Sequence, residues 1–165
     1  MERLILFRHA DAASRAAGKS DFDRPLSAAG RYDASLMGRV LAAAGLMPDL
    51  VLVSSSVRTV ETWDSIAPAF PRAKLQQRKA LYNASAHQIA RAVHAVEDRP
   101  RTLMVIGHNP GIQMLALSLA AAGSTAAHQV HEGFPPATAA VFAVDKNGRS
   151  TCERLLKVKD FGGQA

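Results

Sequence analysis

The sequence is poor in cysteine and lacks long apolar runs. Cys152 is its only cysteine, so neither an intramolecular disulfide nor a cysteine zinc site can form, and a reducing cytoplasm is the expected compartment. The longest apolar stretch, residues 111–123, contains Gln113 and Ser118 and falls short of the roughly 18 apolar residues that a membrane span needs. The apolar run at residues 4–7 is shorter than the roughly 7 to 15 residues of a secretion-signal core. We therefore expect a cytoplasmic protein that does not cross a membrane.

The sequence also lacks a basic run and has few aromatic residues. Its 20 Lys and Arg against 14 Asp and Glu give a net charge of +6, which favours anionic ligands. These cations are scattered from Arg3 to Lys159, and aromatic residues make up only 5% of the chain. Stacking platforms and basic patches for nucleic acid are therefore not expected.

What the chain does contain is enough apolar sequence for one packed core. It has 165 residues, of which 48% are hydrophobic and 21% charged, the usual balance of a globular domain. The sequence shows no internal repeat and no linker. We expect a single domain over residues 1–165.

Short β-rich runs alternate with longer helical patterns along the chain. Strands are predicted over residues 4–7, 50–53, 102–106 and 139–144, with a further short strand at Lys74–Arg78. Helices are predicted from the N-cap Ser27 to a stop at Gly45, then over residues 57–67, 86–96 and 110–121. A final run at residues 151–158 follows Asn147-Gly148, a dipeptide that favours a tight hairpin turn. These elements predict an α/β three-layer sandwich whose mostly parallel central sheet has an antiparallel edge hairpin.

Polar side chains follow three of these strands directly. Arg8 and His9 come after the first strand, Arg58 follows the second in "SSSVR", and His108 follows the fourth in "GHNP". Open α/β sheets bind ligands at the carboxyl ends of their strands, where these groups would meet. Arginine forks and helix N-termini both suit phosphate oxygens, and we expect Asn109 to cap a helix that starts at Pro110. The motifs together predict a phosphate site.

The same residues resemble the motifs of the histidine phosphatase superfamily, which has the phosphoglycerate-mutase-like fold. Its nucleophile motif "RHG" is matched by Arg8-His9-Ala10, its second arginine by Arg58 in "RTVET", and its second histidine by His108 in "IGHNPG". Within the superfamily, the small size and "DFDRPLSAAG", residues 21–30, are similar to the SixA-type phosphohistidine phosphatases.

The resemblance implies a two-step hydrolysis. His9 would attack phosphorus and become phosphorylated, and water would then hydrolyse phospho-His9. Arg8, Arg58 and His108 would bind the phosphate and neutralise its developing charge. Neither a metal nor another cofactor is expected, since the guanidiniums and helix ends would supply the positive charge.

Two positions depart from the family pattern. Ala10 replaces the usual glycine, which is acceptable only if its φ is negative. Many relatives have a glutamate general acid after the third strand, whereas here that region reads "ALYNAS", residues 80–85, without a carboxylate. Asp21 is the predicted acid by its spacing in the family's Asp-x-x-Arg-Pro-Leu pattern, with Asp11 and Asp23 as further candidates. Each of the three could equally be a surface or capping carboxylate.

The missing glutamate favours phosphohistidine as substrate. An imidazole protonated on its ring leaves as a neutral group, so it needs no strong enzymatic acid. We therefore expect a phosphatase that acts on phosphohistidine of a phosphorelay or phosphotransfer protein in signal transduction. The alternatives are a broad phosphomonoesterase for small phosphorylated molecules and an inactive phosphate-binding regulator. No oligomeric state is predicted.

His128 and His131 have a metal-like HxxH spacing beside Glu132. Their surroundings contain Gly and Pro, so we expect an exposed loop and no metal site.

Overall fold

The computed structural model describes residues 1–15, 17, 18, 20–121 and 123–165, and within these ranges its centre is one sheet of six strands. The strands are β1 (Arg3–Arg8), β2 (Leu50–Ser54), β3 (Lys74–Arg78), β4 (Thr102–Gly107), β5 (Ala139–Val144) and β6 (Ser150–Leu156). They lie in the order β3-β2-β4-β1-β5-β6. The strands β3, β2, β4 and β1 are parallel to one another. By contrast, β5 runs antiparallel to β1, and β6 runs antiparallel to β5. The predicted sheet with its antiparallel edge pair is confirmed.

Helices cover both faces of this sheet. In the described ranges they are α1 (Ala28–Ala43), α2 (Val57–Ile66), α3 (Ala86–His94), α4 (Gly111–Leu119) and α5 (Thr125–Glu132). Alternate strand residues point to opposite faces, so Ile5 and Phe7 of β1 pack in one core with α1 and α2. Leu4 and Leu6 pack in the other core with α3, α4 and α5. Each such fully buried side chain stabilises the fold by about 1.5–3 kcal/mol, and the three-layer arrangement is confirmed.

The ends of α1 follow the predicted signals. The Ser27 side chain accepts a hydrogen bond from the Gly30 amide, which satisfies one of the free donors of the first turn. Gly45, just beyond the helix, has φ of +72°, a conformation that favours glycine. Gly30 itself lies against the Asp11 carbonyl oxygen, and a Cβ there would overlap it.

Two predictions near α4 and α5 are wrong. Asn109 does not cap α4, because Pro110 is the N-cap residue and the Asn109 side chain instead donates to Gln113 and the Phe134 carbonyl. His128 and His131 lie on the helix α5, which Ser124 caps by accepting from the Ala127 amide. Gly and Pro around these histidines mark the helix exit and not a loop through them.

The carboxyl-terminal segment is fastened to α1. The last strand was expected to reach residue 158, but β6 ends at Leu156 and Val158–Phe161 form a single 3₁₀ turn. Val158 is fully buried. The buried Asp33 carboxylate accepts hydrogen bonds from the amides of Gln164 and Ala165, both at 2.9 Å. Paired in this way, a buried carboxylate is stable, and it holds the segment after β6 in place.

Within the residues that the structure describes, none of the helices has both the length and the apolar character needed to cross a bilayer.

Candidate active site

Two histidines meet at the carboxyl ends of adjacent parallel strands. β1 pairs with β4 so that Arg8 lies opposite Gly107, and the His9 amide donates to the Gly107 carbonyl at 3.0 Å. His9 and His108 are therefore neighbours, with ring centroids 5.2 Å apart. The predicted meeting of these two residues is confirmed.

Arg58 joins the histidines from the first turn of α2. Its side chain is almost completely buried, and its Nε–H donates to Nε2 of His9 at 3.3 Å. This contact places the guanidinium of Arg58 next to the lone pair of His9 Nε2. The strand β2 and the helix α2 thus deliver Arg58 to the place where the sequence predicts it.

The hydrogen bonds of His9 define its tautomer. Nδ1 lies 2.7 Å from the Ala10 carbonyl oxygen, which can only accept, so Nδ1 carries the proton. Nε2 is then unprotonated and accepts from Arg58. Burial and the nearby charges of Arg58 and Arg8 together lower the pKa of His9 to about 4, against the opposing effect of the Ala10 hydrogen bond. At neutral pH His9 is a neutral imidazole with its Nε2 lone pair in the site.

Ala10 fits the turn that follows β1. The non-glycine residues with positive φ in the described chain are Asn83, Arg99 and Ala137, so Ala10 does not need the conformational freedom of glycine. Its methyl group is fully buried, and its amide donates to Thr62 Oγ1 at 3.1 Å. The replacement of the family glycine therefore leaves the motif geometry intact.

His108 is held by the serines that follow β2. Its Nε2 lies 2.8 Å from Ser54 Oγ and 3.5 Å from Ser56 Oγ, while its buried Nδ1 has no partner in the described chain. Burial, together with the nearby His9 and Arg58, lowers the pKa of His108 to about 3. A buried ring nitrogen without a partner is available to a ligand oxygen.

Arg8 is bound to the loop that precedes β5. Its Nη1 donates to the Phe134 carbonyl at 2.7 Å, and its buried Nε has no partner in the described residues. Phe134 and Pro135 line a cavity next to it. This segment therefore borders Arg8.

Asp21 fixes Arg58 from the loop before α1. The Asp21 carbonyl accepts from Nη1 of Arg58 at 2.7 Å, and its Oδ2 accepts from Nη2 at 3.1 Å. Its Oδ1 lies 3.0 Å from Nη1 of Arg24. The hydrogen bond from Arg24, together with Tyr82 and Arg58, lowers the pKa of Asp21 to about 2. At neutral pH Asp21 is a carboxylate without a proton to donate, so its acid role remains a prediction that this geometry does not favour.

The other two acid candidates are engaged elsewhere or exposed. Asp11 Oδ2 accepts from Ser27 Oγ at 2.6 Å, which makes it a support for the start of α1. Asp23 is exposed in the short turn that contains Asp21.

Tyr82 completes the site and was not predicted from the sequence. Its hydroxyl donates to Asp21 Oδ2 at 3.0 Å, and its ring packs edge-on against His108 with centroids 5.5 Å apart. The Arg58 guanidinium lies 5.8 Å from the ring centroid, within cation–π range. Tyr82 belongs to the "ALYNAS" segment, which stood out in the sequence only for its lack of a carboxylate. The hydroxyl group of its aromatic side chain is the feature of the sequence that could have indicated this residue.

In the described ranges, no group of three or more His, Cys, Asp and Glu side chains is arranged to hold a metal ion. The sheet with its paired histidines and arginine defines a hydrolase that acts on phosphate groups. A family model described as "Histidine phosphatase superfamily (branch 1)" matches residues 4–89. The chain belongs to the histidine phosphatase superfamily.

Several known proteins are similar to this chain over most of its length. An uncharacterized chloroplastic protein of Arabidopsis thaliana is 32% identical over 130 residues, and this match covers 73% of the chain but only 60% of the plant protein. An uncharacterized protein of Mycobacterium tuberculosis (strain ATCC 25618 / H37Rv) is 34% identical over 130 residues, with 77% of the chain and 80% of that protein covered. Among solved structures, one from Agrobacterium tumefaciens assigned as the phosphohistidine phosphatase SixA is 28% identical. It superposes with a TM-score of 0.85 over 94% of this chain and 97% of that one.

Proposed function

We propose that the protein hydrolyses phosphohistidine on a phosphorylated protein through a covalent phospho-His9 intermediate. The observation that carries the proposal is the neutral His9, whose Nε2 lone pair lies within 3.3 Å of the Arg58 guanidinium. A nucleophile beside a group that binds phosphate is the arrangement that phosphoryl transfer requires.

In the first step, the phosphate of the substrate accepts the hydrogen bond that Arg58 Nε–H otherwise donates to His9, and Arg58 keeps its proton. Nε2 of His9 then forms a bond to phosphorus while the bond between phosphorus and the leaving nitrogen breaks. Arg8, Arg58 and His108 would bind the phosphoryl oxygens, and His108 would use its unpaired Nδ1 as a donor while Nε2 accepts from Ser54. Positioning and electrostatic stabilisation of this kind supply most of the catalysis in phosphoryl transfer.

In the second step, water attacks phosphorus, and the bond to His9 breaks to release inorganic phosphate. The nucleophile returns to its neutral state, in which Nδ1 again donates to the Ala10 carbonyl.

The environment of Asp21 supports phosphohistidine over phosphate esters. An alkoxide needs a proton as it leaves, whereas a ring-protonated imidazole does not. Asp21 is ionised at neutral pH, and Tyr82 directs its hydroxyl hydrogen to Asp21. The similarity to the structure assigned as SixA supports the same substrate class.

The test is a comparison of substrates with one trapping experiment. A phosphohistidine protein, free phosphohistidine and small phosphomonoesters are assayed side by side. The enzyme is also quenched at neutral pH, not in acid, and analysed by mass spectrometry. We expect phosphohistidine protein to be hydrolysed fastest and a phosphoryl group on His9, absent in His9→Ala and retained in the exposed control His87→Ala.

Equal rates on serine-phosphate esters would favour the broad phosphomonoesterase. Binding of phosphate without turnover of any substrate would favour the inactive regulator.

A further inference from the structure

A second basic feature adjoins the phosphate site on the side of Arg8. A cavity of about 440 Å³ lies between the loop at Phe134 and the segment after β6, and Arg8 forms part of its wall. His9, Arg58 and His108 do not line it. Arg8, the residue before His9 in the chain, therefore lines this second space, which we name the basic cavity.

The charge of the basic cavity is strongly positive. Its charged lining residues in the described chain are Arg8, Lys157 and Lys159, opposed by Glu132 alone. The ion pairs within the described ranges involve neither lysine, and neither lysine makes a side-chain hydrogen bond to a described residue. Two ammonium groups beside an arginine, opposed by a single carboxylate, leave a net positive charge that attracts an anion.

The fold holds both lysines at the cavity. Lys157 follows β6 directly, and Val158 between the lysines is fully buried. The Gly163 amide donates to the Val158 carbonyl at 3.0 Å, and Asp33 binds the two following amides. The backbone turn that carries both lysines is therefore fixed in the folded protein. Binding an anion there costs little further backbone entropy.

We infer that the basic cavity receives a carboxylate side chain that lies beside the phosphohistidine on the protein substrate. This inference rests on the proposed function. Lys159 is exposed, so the cavity is open to solvent and leaves room for the backbone of a partner, whereas pockets for small molecules enclose most of their ligand. Charge complementarity at such a rim selects partners and speeds association.

The test uses two labelled phosphohistidine peptides of one sequence, with either aspartate or asparagine on both sides of the phosphohistidine. Binding to the His9→Ala variant, which does not turn over, is measured by fluorescence anisotropy. We expect the aspartate peptide to bind about three- to tenfold more tightly, the range of two solvent-exposed ion pairs, and the preference to shrink as salt is raised. Lys157→Gln combined with Lys159→Gln should abolish the preference.

Two further variants sharpen the test. Lys146→Gln changes an exposed lysine in the β5–β6 turn, at the opposite end of the sheet, and should retain the preference. Glu132→Gln removes the opposing charge and should increase it. The inference is overturned if His9→Ala binds both peptides equally, or if the double variant keeps the preference. The two proposals can fail separately. If the unmutated protein hydrolyses both peptides but shows no binding preference, only the carboxylate role of the basic cavity is contradicted. If there is a preference but no hydrolysis by the unmutated protein, only the proposed function is contradicted.

Discussion

The low pKa of His9 predicts that the nucleophile stays active in mild acid. At pH 5 a histidine of ordinary pKa, near 6.5, is only about 3% neutral. With a pKa of about 4, about 90% of His9 is neutral at pH 5, a difference of roughly thirtyfold. Phosphoryl transfer to His9 should therefore decline with a midpoint near pH 4.

Two measurements check this midpoint independently. The pKa of His9 is read by NMR from the Cε1–H resonance as pH is lowered. The rate of phospho-His9 formation from phosphoramidate is followed by rapid quench over the same range, and the ionisation of this donor is common to all variants. An NMR midpoint between pH 6 and 7 would refute the reasoning.

Two variants separate the causes of the shift. Arg58→Gln removes a positive charge beside Nε2 and should raise the pKa of His9 towards its ordinary value, although phosphate binding is lost with it. Burial, the larger cause, remains, so the pKa should not return fully to 6.5. Arg39→Gln, an exposed change on α1, should leave the titration unchanged.

The lowered pKa of His9 also predicts how the free energy of unfolding changes with pH. Because the folded-state pKa of His9 lies below its unfolded value, the unfolded chain binds a proton first as pH falls. Stability from neutral His9 is therefore present above about pH 6.5 and is lost down to about pH 4, by about 3 kcal/mol at most. Urea unfolding at several pH values measures this slope, which His9→Gln should reduce.

Three other changes, and a control for the last of them, test the surroundings of the site. Asp21→Asn keeps the shape of the side chain but removes the charge, so kcat/KM should fall about tenfold alike for phosphohistidine and for alkyl phosphate esters; a much larger loss on esters would instead support an acid role. Tyr82→Phe keeps the ring but removes one hydrogen bond to Asp21, a loss of about 1 kcal/mol or fivefold in kcat/KM, and wild-type activity would contradict a positioning role. Gly111→Ala would bring a methyl group onto the Ala84 carbonyl and should destabilise the protein by about 2–3 kcal/mol in urea unfolding. Gly133→Ala, where a Cβ has open space, should stay within about 0.5 kcal/mol; equal effects of the two glycine changes would refute the overlap.

Residues at strand ends were predictable because the sheet topology places them. Parallel strands end at one edge, so the apolar runs before His9 and His108 already imply that these residues meet. The helix α1 was predictable because Ser27 and Gly45 are strong local signals.

Other features depend on contacts that local patterns do not contain. Asn109 has the sequence of a cap, but the Phe134 carbonyl and Gln113 compete for its side chain. The role of Tyr82 requires Asp21 to lie beside it, across 61 positions of chain. The pKa of Asp21 likewise follows from Arg24, Tyr82 and Arg58 converging on one carboxylate, which no single segment reveals.

The contact of Arg58 with His9 also governs how the nucleophile meets chemicals other than its substrate. An imidazole lone pair reacts readily with uncharged electrophiles such as acylating and alkylating reagents, but here an N–H group covers it. Anions compete for the guanidinium and so expose the nitrogen, whereas neutral reagents cannot. In the proposed mechanism, the residue that binds the phosphate would thereby also protect the unoccupied enzyme from covalent damage and reserve its reactive atom for negatively charged partners.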